Sequence, residues 1–272
     1  MSMRPQIPVC TVESEEALAF IRQMGVENVS LMLKPDEITR EVIQQQKEKL
    51  ARHHLTISDA ACGELQKNRS IHLNLPDRDE QIEKFNQMLV VLGEEKIPFT
   101  SIAWQPHGIL RTCWKVGEHT RGGSSMFCDE SEIMARPNAE PRTYTEEEIW
   151  ENFTYFMDKV IPVAEETGVR MALHPNDPPL ACMAGIPSLI YNMECYRKAF
   201  RAAKGSKALG IKLCVGCWLE SGSEFGDLMS DIKELCADDR ILCVHFRNVS
   251  SQLPMFRSEE RRVGKECRSR WS

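Results

Sequence analysis

Two histidines and one cysteine at the ends of three strand-like segments could together bind a divalent metal ion. His174 ends the segment VRMALH, Cys214 ends LGIKLC and His245 ends ILCVH. In each segment one alternating set of side chains is apolar, and the opposite set carries these three residues. Imidazole nitrogens and a thiolate are ligands for divalent transition metals, and three protein ligands leave positions open for a substrate. The alternative is that the histidines are hydrogen-bonded core residues and Cys214 is a small buried hydrophobe.

These segments belong to a regular alternation of strand-like and helix-like stretches. The strand-like runs cover residues 8–12, 26–33, 55–62, 99–105, 169–175, 209–215 and 241–249, and the helical patterns cover 14–24, 35–53, 79–95, 145–167, 188–203 and 224–236. Strands that alternate with helices predict a parallel sheet, and no GxGxxG of a dinucleotide-binding fold follows the first strand. We therefore predict an α/β fold of the (β/α)8 TIM-barrel class, with seven strands present and the last one missing. The carboxyl ends of barrel strands share one rim, so the three metal-ligand candidates are expected to converge there.

The domain prediction is a single barrel over residues 1–256, followed by a tail over residues 257–272. That tail, RSEERRVGKECRSRWS, has no strand or helix period and resembles the translation of a DNA sequencing-library adapter. We expect it to be non-native and to pack against nothing, with the natural sequence interrupted near Phe256. A barrel without its last strand would be poorly stable and inactive, because it leaves two strand edges unpaired.

A long segment between the fourth strand and the fourth helix, residues 106–144, is predicted as a loop on the catalytic rim. Its Arg111 and Arg121 are candidates for binding an anionic substrate, with ordinary surface arginines as the alternative. His107, at the start of this segment, is a third candidate for substrate binding.

Polar residues next to the histidines are candidates for the chemistry itself. Asp177 follows His174 in HPNDPP and could orient a ligand or handle protons, although an Asp in a proline-rich turn is often only a turn-former. Arg247 and Asn248 follow His245 and could contact the substrate, with Arg247 as the second predicted catalytic residue. An internal salt bridge is the alternative for Arg247.

Cys214 and Cys217 form a CxxC motif, which in other proteins serves a zinc ribbon or a thioredoxin-like redox site. A zinc ribbon would need a second pair at matching spacing, which the sequence does not contain. A thioredoxin-like use needs the motif at a helix start. Here the motif is predicted to end a strand, so the sequence argues against both.

Composition excludes several classes of protein. The net charge of −6 gives no basic footprint for nucleic acid, and no apolar run is long enough to span a membrane. Eleven cysteines without a secretory signal indicate reduced thiols. We therefore expect a cytoplasmic protein with a small-molecule partner; the oligomeric state stays open, a homo-oligomer included.

The segments HPNDPP, KLCVGCW and VHFRNV, in this order and spacing, resemble the motifs of mannonate dehydratase. The resemblance implies a TIM barrel of the xylose-isomerase-like group and a hydro-lyase of glucuronate catabolism. Such an enzyme dehydrates the sugar acid D-mannonate to 2-keto-3-deoxygluconate with a divalent metal, manganese first and iron as the alternative. By the same resemblance, His174, Cys214 and His245 match the family's metal ligands.

Three departures from the family pattern bear on the substrate and on activity. Asn176 stands where the family has the first Asp of an HPDDPP-like turn, and Cys217 and Trp218 stand where small residues are commoner. The Arg-Pro-Asp-His-like motif that supplies a further Asp ligand does not occur in this sequence. A metal-dependent sugar isomerase or epimerase of the same group is the alternative function, and an inactive truncated fragment is the alternative for this chain.

Overall fold

The computed structural model describes residues 3–116 and 124–259. By its contacts the chain divides into two compact units. Of the described residues, the first unit contains 3–103, 152–173 and 202–210, and the second contains 104–116, 124–151, 174–201 and 211–259.

The described helices and strands alternate along the chain, as the sequence predicts. The helices are α1 (Glu15–Gln23), α2 (Arg40–Ala51), α3 (Gly63–Gln66), α4 (Arg69–Leu73), α5 (Arg78–Glu94), α6 (Glu130–Met134), α7 (Glu146–Thr167), α8 (Met193–Ala202), α9 (Val215–Ser221) and α10 (Leu228–Ala237). The strands are β1 (Gln6–Cys10), β2 (Asn28–Leu33), β3 (Thr56–Cys62), β4 (Phe99–Ala103), β5 (Cys113–Val116), β6 (Ser124–Asp129), β7 (Arg170–His174), β8 (Cys182–Met183), β9 (Ile186–Pro187), β10 (Leu209–Cys214), β11 (Ile241–His245), β12 (Asn248–Val249) and β13 (Met255–Glu259). None of these helices is long and apolar enough to cross a lipid bilayer.

The first unit is built on the parallel sheet β1-β2-β3. Its helices begin where the sequence supplies a cap: the Ser14 side chain accepts from the amide of Ala17 at the start of α1. Helix α7 is followed by Gly168 at φ +71°, a conformation that glycine adopts without steric cost. Phe85 of α5 meets Phe156 of α7 edge to face, with ring centroids 5.2 Å apart, so the helices bury an aromatic core.

In the second unit, β10 and β11 are parallel neighbours, and their register sets Cys214 beside His245. The same unit contains an antiparallel sheet of order β12-β13-β6-β5. Apolar side chains from this sheet and its surroundings form a buried cluster: Leu110, Cys128, Ile133, Leu180, Met183, Val249 and Phe256. Cys128, Val249 and Phe256 of this cluster belong to strands of the sheet itself.

The seven predicted strands and six predicted helices are confirmed, with shifts of a few residues at their ends. The helical pattern predicted from residue 35 begins with a 3-10 turn over Pro35–Glu37, and α2 starts only after Thr39, whose hydroxyl accepts from the amide of Val42.

Three further predictions need correction. The segment 106–144 is not a structureless loop, since β5, β6 and α6 lie within it. The CxxC motif does lie at a helix start, because Cys214 is the N-cap residue of α9. Residues 257–259 do not stand apart, because they continue β13 and pair with β6 and β12; residues 260–272 lie outside the described ranges.

Candidate metal centre

The side chains of His174, Cys214 and His245, here called the His–Cys cluster, meet in the second unit. The nearest ligand atoms of the three residues all lie within 4.8 Å of one another. The two imidazole rings have centroids 5.2 Å apart and are tilted by 59°. The predicted convergence of these three residues is therefore confirmed.

Local structure fixes how each member of the His–Cys cluster is presented. Each residue ends a strand, namely β7, β10 or β11. The Nδ1 atom of His174 lies 2.7 Å from the carbonyl oxygen of Pro175. A ring nitrogen that donates to a backbone carbonyl leaves the other nitrogen with its lone pair free, so Nε2 of His174 is the atom offered to a ligand.

Electrostatics favour the ligand-competent forms of Cys214 and His245. The pKa of Cys214 is held well below its ordinary value, first because the Cys217 thiol donates a hydrogen bond to its sulfur and then because His174 and His245 also bond to it. Burial lowers the pKa of His245, which favours a neutral imidazole. Thiolate sulfur and neutral imidazole nitrogen are the forms that bind transition metals. The donor set therefore fits a divalent transition metal ion.

A second group of charged side chains lies beside the first and has a different character. Arg111 Nη2 is 2.5 Å from Asp177 Oδ1 and 3.3 Å from Glu220 Oε1. Arg247 Nη1 is 2.6 Å from Glu220 Oε1, and its Nη2 is 3.4 Å from Asp177 Oδ2. These four residues form the ion-pair cluster, in which two carboxylates face two guanidinium groups.

Burial makes this balance of charge necessary. Glu220 is 0% exposed, and its burial together with the neighbouring carboxylate of Asp177 raises its pKa well above the ordinary value. Removing ions from water costs several kcal/mol each unless they are paired and hydrogen-bonded. The two arginines supply that pairing, so Asp177 and Glu220 are engaged within the protein.

Arg247 connects the two clusters. Its Nη2 lies 3.6 Å from both Cys214 Sγ and Cys217 Sγ, and its Nη1 donates a hydrogen bond to the hydroxyl oxygen of Ser258 at 3.0 Å. The guanidinium lies directly over Gly216, where an added Cβ would stand only 2.4 Å from Nε. Glycine at position 216 is therefore what allows Arg247 to approach the start of α9.

Hydrogen bonds hold the HPNDPP turn and explain why Asn176 fits there. The Asn176 side chain donates to the carbonyl oxygen of Trp104 at 3.1 Å and accepts from the amide of Ile190 at 2.9 Å. A carboxylate can only accept, so the donor role at Trp104 requires the amide. Gln105 fixes the next residue, because its side chain bonds both the carbonyl and the amide of Asp177.

Trp218, the other departure from the family pattern, is a buried structural residue. Its Nε1 donates to Asp231 Oδ2 at 2.9 Å, and its ring stacks on Tyr196 at 5.9 Å between centroids. Phe225 lies 4.1 Å away on a tilted plane. Trp218 thus anchors α9 in an aromatic core.

The remaining sequence candidates lie apart from these contacts or outside the described residues. His107 follows β4, and its Nδ1 is 2.9 Å from the Gly108 carbonyl oxygen; burial lowers its pKa. Asn248 begins β12 and pairs with Glu259 along the backbone. Arg121 lies outside the described residues. The substrate-binding roles of these residues stay predictions.

Sequence reasoning missed two members of the neighbourhood. Glu220 was not singled out, although it follows Cys217 by three positions and therefore lies on the same side of α9. Ser258 was assigned to the tail, yet it is buried and bonded to Arg247. The helical spacing could have identified Glu220, whereas no local signal identifies Ser258.

Comparisons with known proteins point to one family. A family model described as D-mannonate dehydratase matches residues 126–260. The mannonate dehydratase of Streptococcus agalactiae is 30% identical over 234 residues, which are 78% of this chain and 66% of that protein. The chain thus spans slightly less than two thirds of that curated relative.

Solved structures give the fold. A crystal structure of mannonate dehydratase from Streptococcus suis matches with a TM-score of 0.81 at 22% identity, covering 94% of this chain and 74% of the other. A xylose isomerase domain protein from Planctomyces limnophilus matches with a TM-score of 0.57 at 10% identity, covering 96% and 79%. The predicted α/β fold of an incomplete TIM barrel is confirmed by these likenesses.

Proposed function

We propose that the chain is a member of the mannonate dehydratase family and that it carries the metal site of a sugar-acid dehydratase. The reaction proposed is the removal of water from D-mannonate to give 2-keto-3-deoxy-D-gluconate. The observation that carries the proposal is the His–Cys cluster, whose three ligand atoms lie within 4.8 Å of one another.

The chemistry requires a site of this kind. Dehydration removes the proton next to the carboxylate and the hydroxyl group on the following carbon, so negative charge develops on the carboxylate. A bound divalent ion supplies Lewis-acid stabilisation of that charge. We propose His174, Cys214 and His245 as its protein ligands, with manganese as the metal and iron as the alternative.

Residues next to the proposed metal ligands hold the ligand side chains in position. Pro175 fixes the His174 ring through the Nδ1 hydrogen bond. Arg247 donates to Cys214 Sγ and keeps that sulfur in place. Asp177, predicted as catalytic, is paired with Arg111 and Arg247, so we assign Asp177 and Arg247 to positioning rather than to proton transfer.

The alternative, a metal-dependent isomerase or epimerase, draws less support. It shares the fold, as solved epimerases of the same class show, among them a 3-keto-D-glucoside 4-epimerase from E. coli at 14% identity and a TM-score of 0.58. The family model and the curated relatives instead carry the dehydratase description. Only a dehydratase yields a 2-keto-3-deoxy acid.

The test uses the chain itself and a fusion in which the family's Arg-Pro-Asp-His-like segment follows residue 259, so that β13 and the buried Ser258 are kept. Both are incubated with manganese and either D-mannonate or neutral ketoses. We expect the fusion to form the 2-keto-3-deoxy acid faster than the chain, and Cys214→Ala to abolish the reaction. Equal product formation by Cys214→Ala, or interconversion of ketoses without a 2-keto acid, would overturn the proposal.

A further inference from the structure

The two cysteines of the CxxC motif lie at one end of α9. Cys214 ends β10 and is the N-cap residue of the helix, and Cys217 lies in its first turn. Residues in these positions present their side chains on the same side of a helix start. The sequence predicts that the CxxC motif ends a strand, but the structure places it at a helix start, as a thioredoxin-like use requires.

The two sulfur atoms lie beside the same guanidinium nitrogen. Arg247 Nη2 is 3.6 Å from Cys214 Sγ and 3.6 Å from Cys217 Sγ. Both cysteines are free thiols. Two free thiols three residues apart at a helix start, both next to one guanidinium nitrogen, have the proximity from which a disulfide can form.

We propose that Cys214 and Cys217 form a peroxide-oxidisable dithiol, whose disulfide withdraws the Cys214 sulfur from the metal site. The formation of the disulfide depends only on the two thiols and not on a bound metal. The second half rests on the proposed function, because it takes Cys214 to be a metal ligand.

The chemistry balances with hydrogen peroxide as the oxidant. The Cys214 sulfur attacks one peroxide oxygen, the O–O bond breaks, and a sulfenic acid and water result. The Cys217 sulfur then attacks the sulfenic sulfur, its proton leaves with the hydroxyl group as a second water, and the S–S bond forms. Two thiols are oxidised by two electrons while one peroxide is reduced to two waters.

Burial favours a small oxidant over a bulky one. Cys217 is 0% and Cys214 2% exposed, so a mixed disulfide with a large thiol reagent has no room to form. His245 is exposed and its ring lies against the Cys214 sulfur, which gives a small solute a route to that sulfur. A bulky disulfide reagent should instead modify the exposed Cys10, Cys113 and Cys236.

The experiment treats the metal-free chain with one equivalent of hydrogen peroxide, blocks remaining thiols by alkylation, and maps the peptides by mass spectrometry. We expect two thiols to be lost from Cys214 and Cys217 together, in a cross-linked peptide that a reductant restores. Cys217→Ser should lose the cross-link and stop at oxidised Cys214, whereas Cys128→Ser, a change at another buried cysteine, should keep it. A cross-link between other cysteines, or an intact pair when exposed cysteines are oxidised, would overturn the proposal.

A second arm separates this inference from the proposed function. The chain is loaded with cobalt(II) before peroxide is added, and the thiolate-to-cobalt absorption band is followed. Protection of Cys214 by cobalt, with loss of the band once the disulfide forms, supports both halves. Cross-linking at the same rate with and without cobalt would refute the role of Cys214 as a metal ligand. The proposal that Cys214 and Cys217 form an oxidisable dithiol would still stand.

Discussion

The second unit contains two adjacent groups of side chains with the residue types of a metal site. The two groups differ in whether their charged side chains are ion-paired with arginines. In the His–Cys cluster and in the group of Asp177, Cys217 and Glu220, the ligand atoms lie within 4.8 Å of one another. The carboxylates of the second group are already paired with Arg111 and Arg247. The His–Cys cluster instead offers two imidazoles around one sulfur.

This difference teaches that residue type and proximity do not by themselves define a metal site. A cation entering the ion-pair cluster would have to displace a guanidinium or share its carboxylate, at the cost of a buried pairing. At the His–Cys cluster, Arg247 Nη2 contacts the Cys214 sulfur at the longer distance of 3.6 Å. Each prediction below changes one side of this comparison.

The largest effect is expected from removing Arg247. In Arg247→Met the two buried carboxylates keep only Arg111, and breaking a buried ion pair costs about 3–5 kcal/mol. The free energy of unfolding, measured by urea denaturation, should fall by that amount. The control is Arg22→Met, whose exposed pair with Glu27 at 3.0 Å should contribute at most about 1 kcal/mol; equal losses would show that the cluster is not a buried network.

The second effect separates the two groups by metal affinity. Loss of residues that only support metal ligands weakens binding by about 10–100-fold, so loss of a ligand in Cys214→Ala should exceed about 100-fold for manganese. Glu220→Gln should leave the affinity within about tenfold. Titration of each folded variant with manganese measures these affinities. A stronger loss of affinity in Glu220→Gln than in Cys214→Ala would place the metal in the ion-pair cluster and contradict the prediction.

The third effect concerns the contact between Gly216 and Arg247. In Gly216→Ala the added Cβ would meet the guanidinium at about 2.4 Å, and such overpacking costs about 1–3 kcal/mol. Gly63→Ala is the matched control, because a Cβ there meets nothing within 4 Å and should change stability by at most about 0.5 kcal/mol. Thermal unfolding of both variants measures the difference, which a neutral Gly216→Ala would contradict.

The smallest effect tests whether Ser258 supports the ion-pair cluster. Ser258→Ala removes the hydroxyl oxygen that lies 3.0 Å from Arg247 Nη1, which should cost about 1 kcal/mol of unfolding free energy. Ser251→Ala, a change at an exposed serine near β13, is the comparison variant. If Ser258→Ala is as stable as the unchanged chain, the hydrogen bond between Ser258 and Arg247 does not contribute to the free energy of unfolding.

Much of the fold could be predicted because buried parallel strands read as apolar runs, which is why β2, β7 and β10 lie where the sequence places them. The antiparallel sheet could not. Strand β5 has Trp114 and Val116 exposed, so its pattern resembles a loop. The sheet is completed by β12 and β13, which come from a distant part of the chain.

The site divides in the same way. The alternation of side chains along each strand was enough to predict the His–Cys cluster, because residues at the same end of neighbouring parallel strands lie close together. The pairing of Arg111 with Asp177 depends on tertiary contacts that no spacing encodes. The error over the CxxC motif arose because β10 ends and α9 begins at one residue, Cys214, without a turn signal between them.

The antiparallel sheet has a consequence for how the chain acquires its structure. Strand β6 pairs with β13, so Asp129 must find Met255 across a long stretch of sequence. During synthesis at the ribosome, β5 and β6 emerge well before their partner and must wait as an isolated hairpin, which is marginally stable in water. We expect this sheet to form after residue 259 has left the exit tunnel, so the slowest folding phase should reflect its long-range closure.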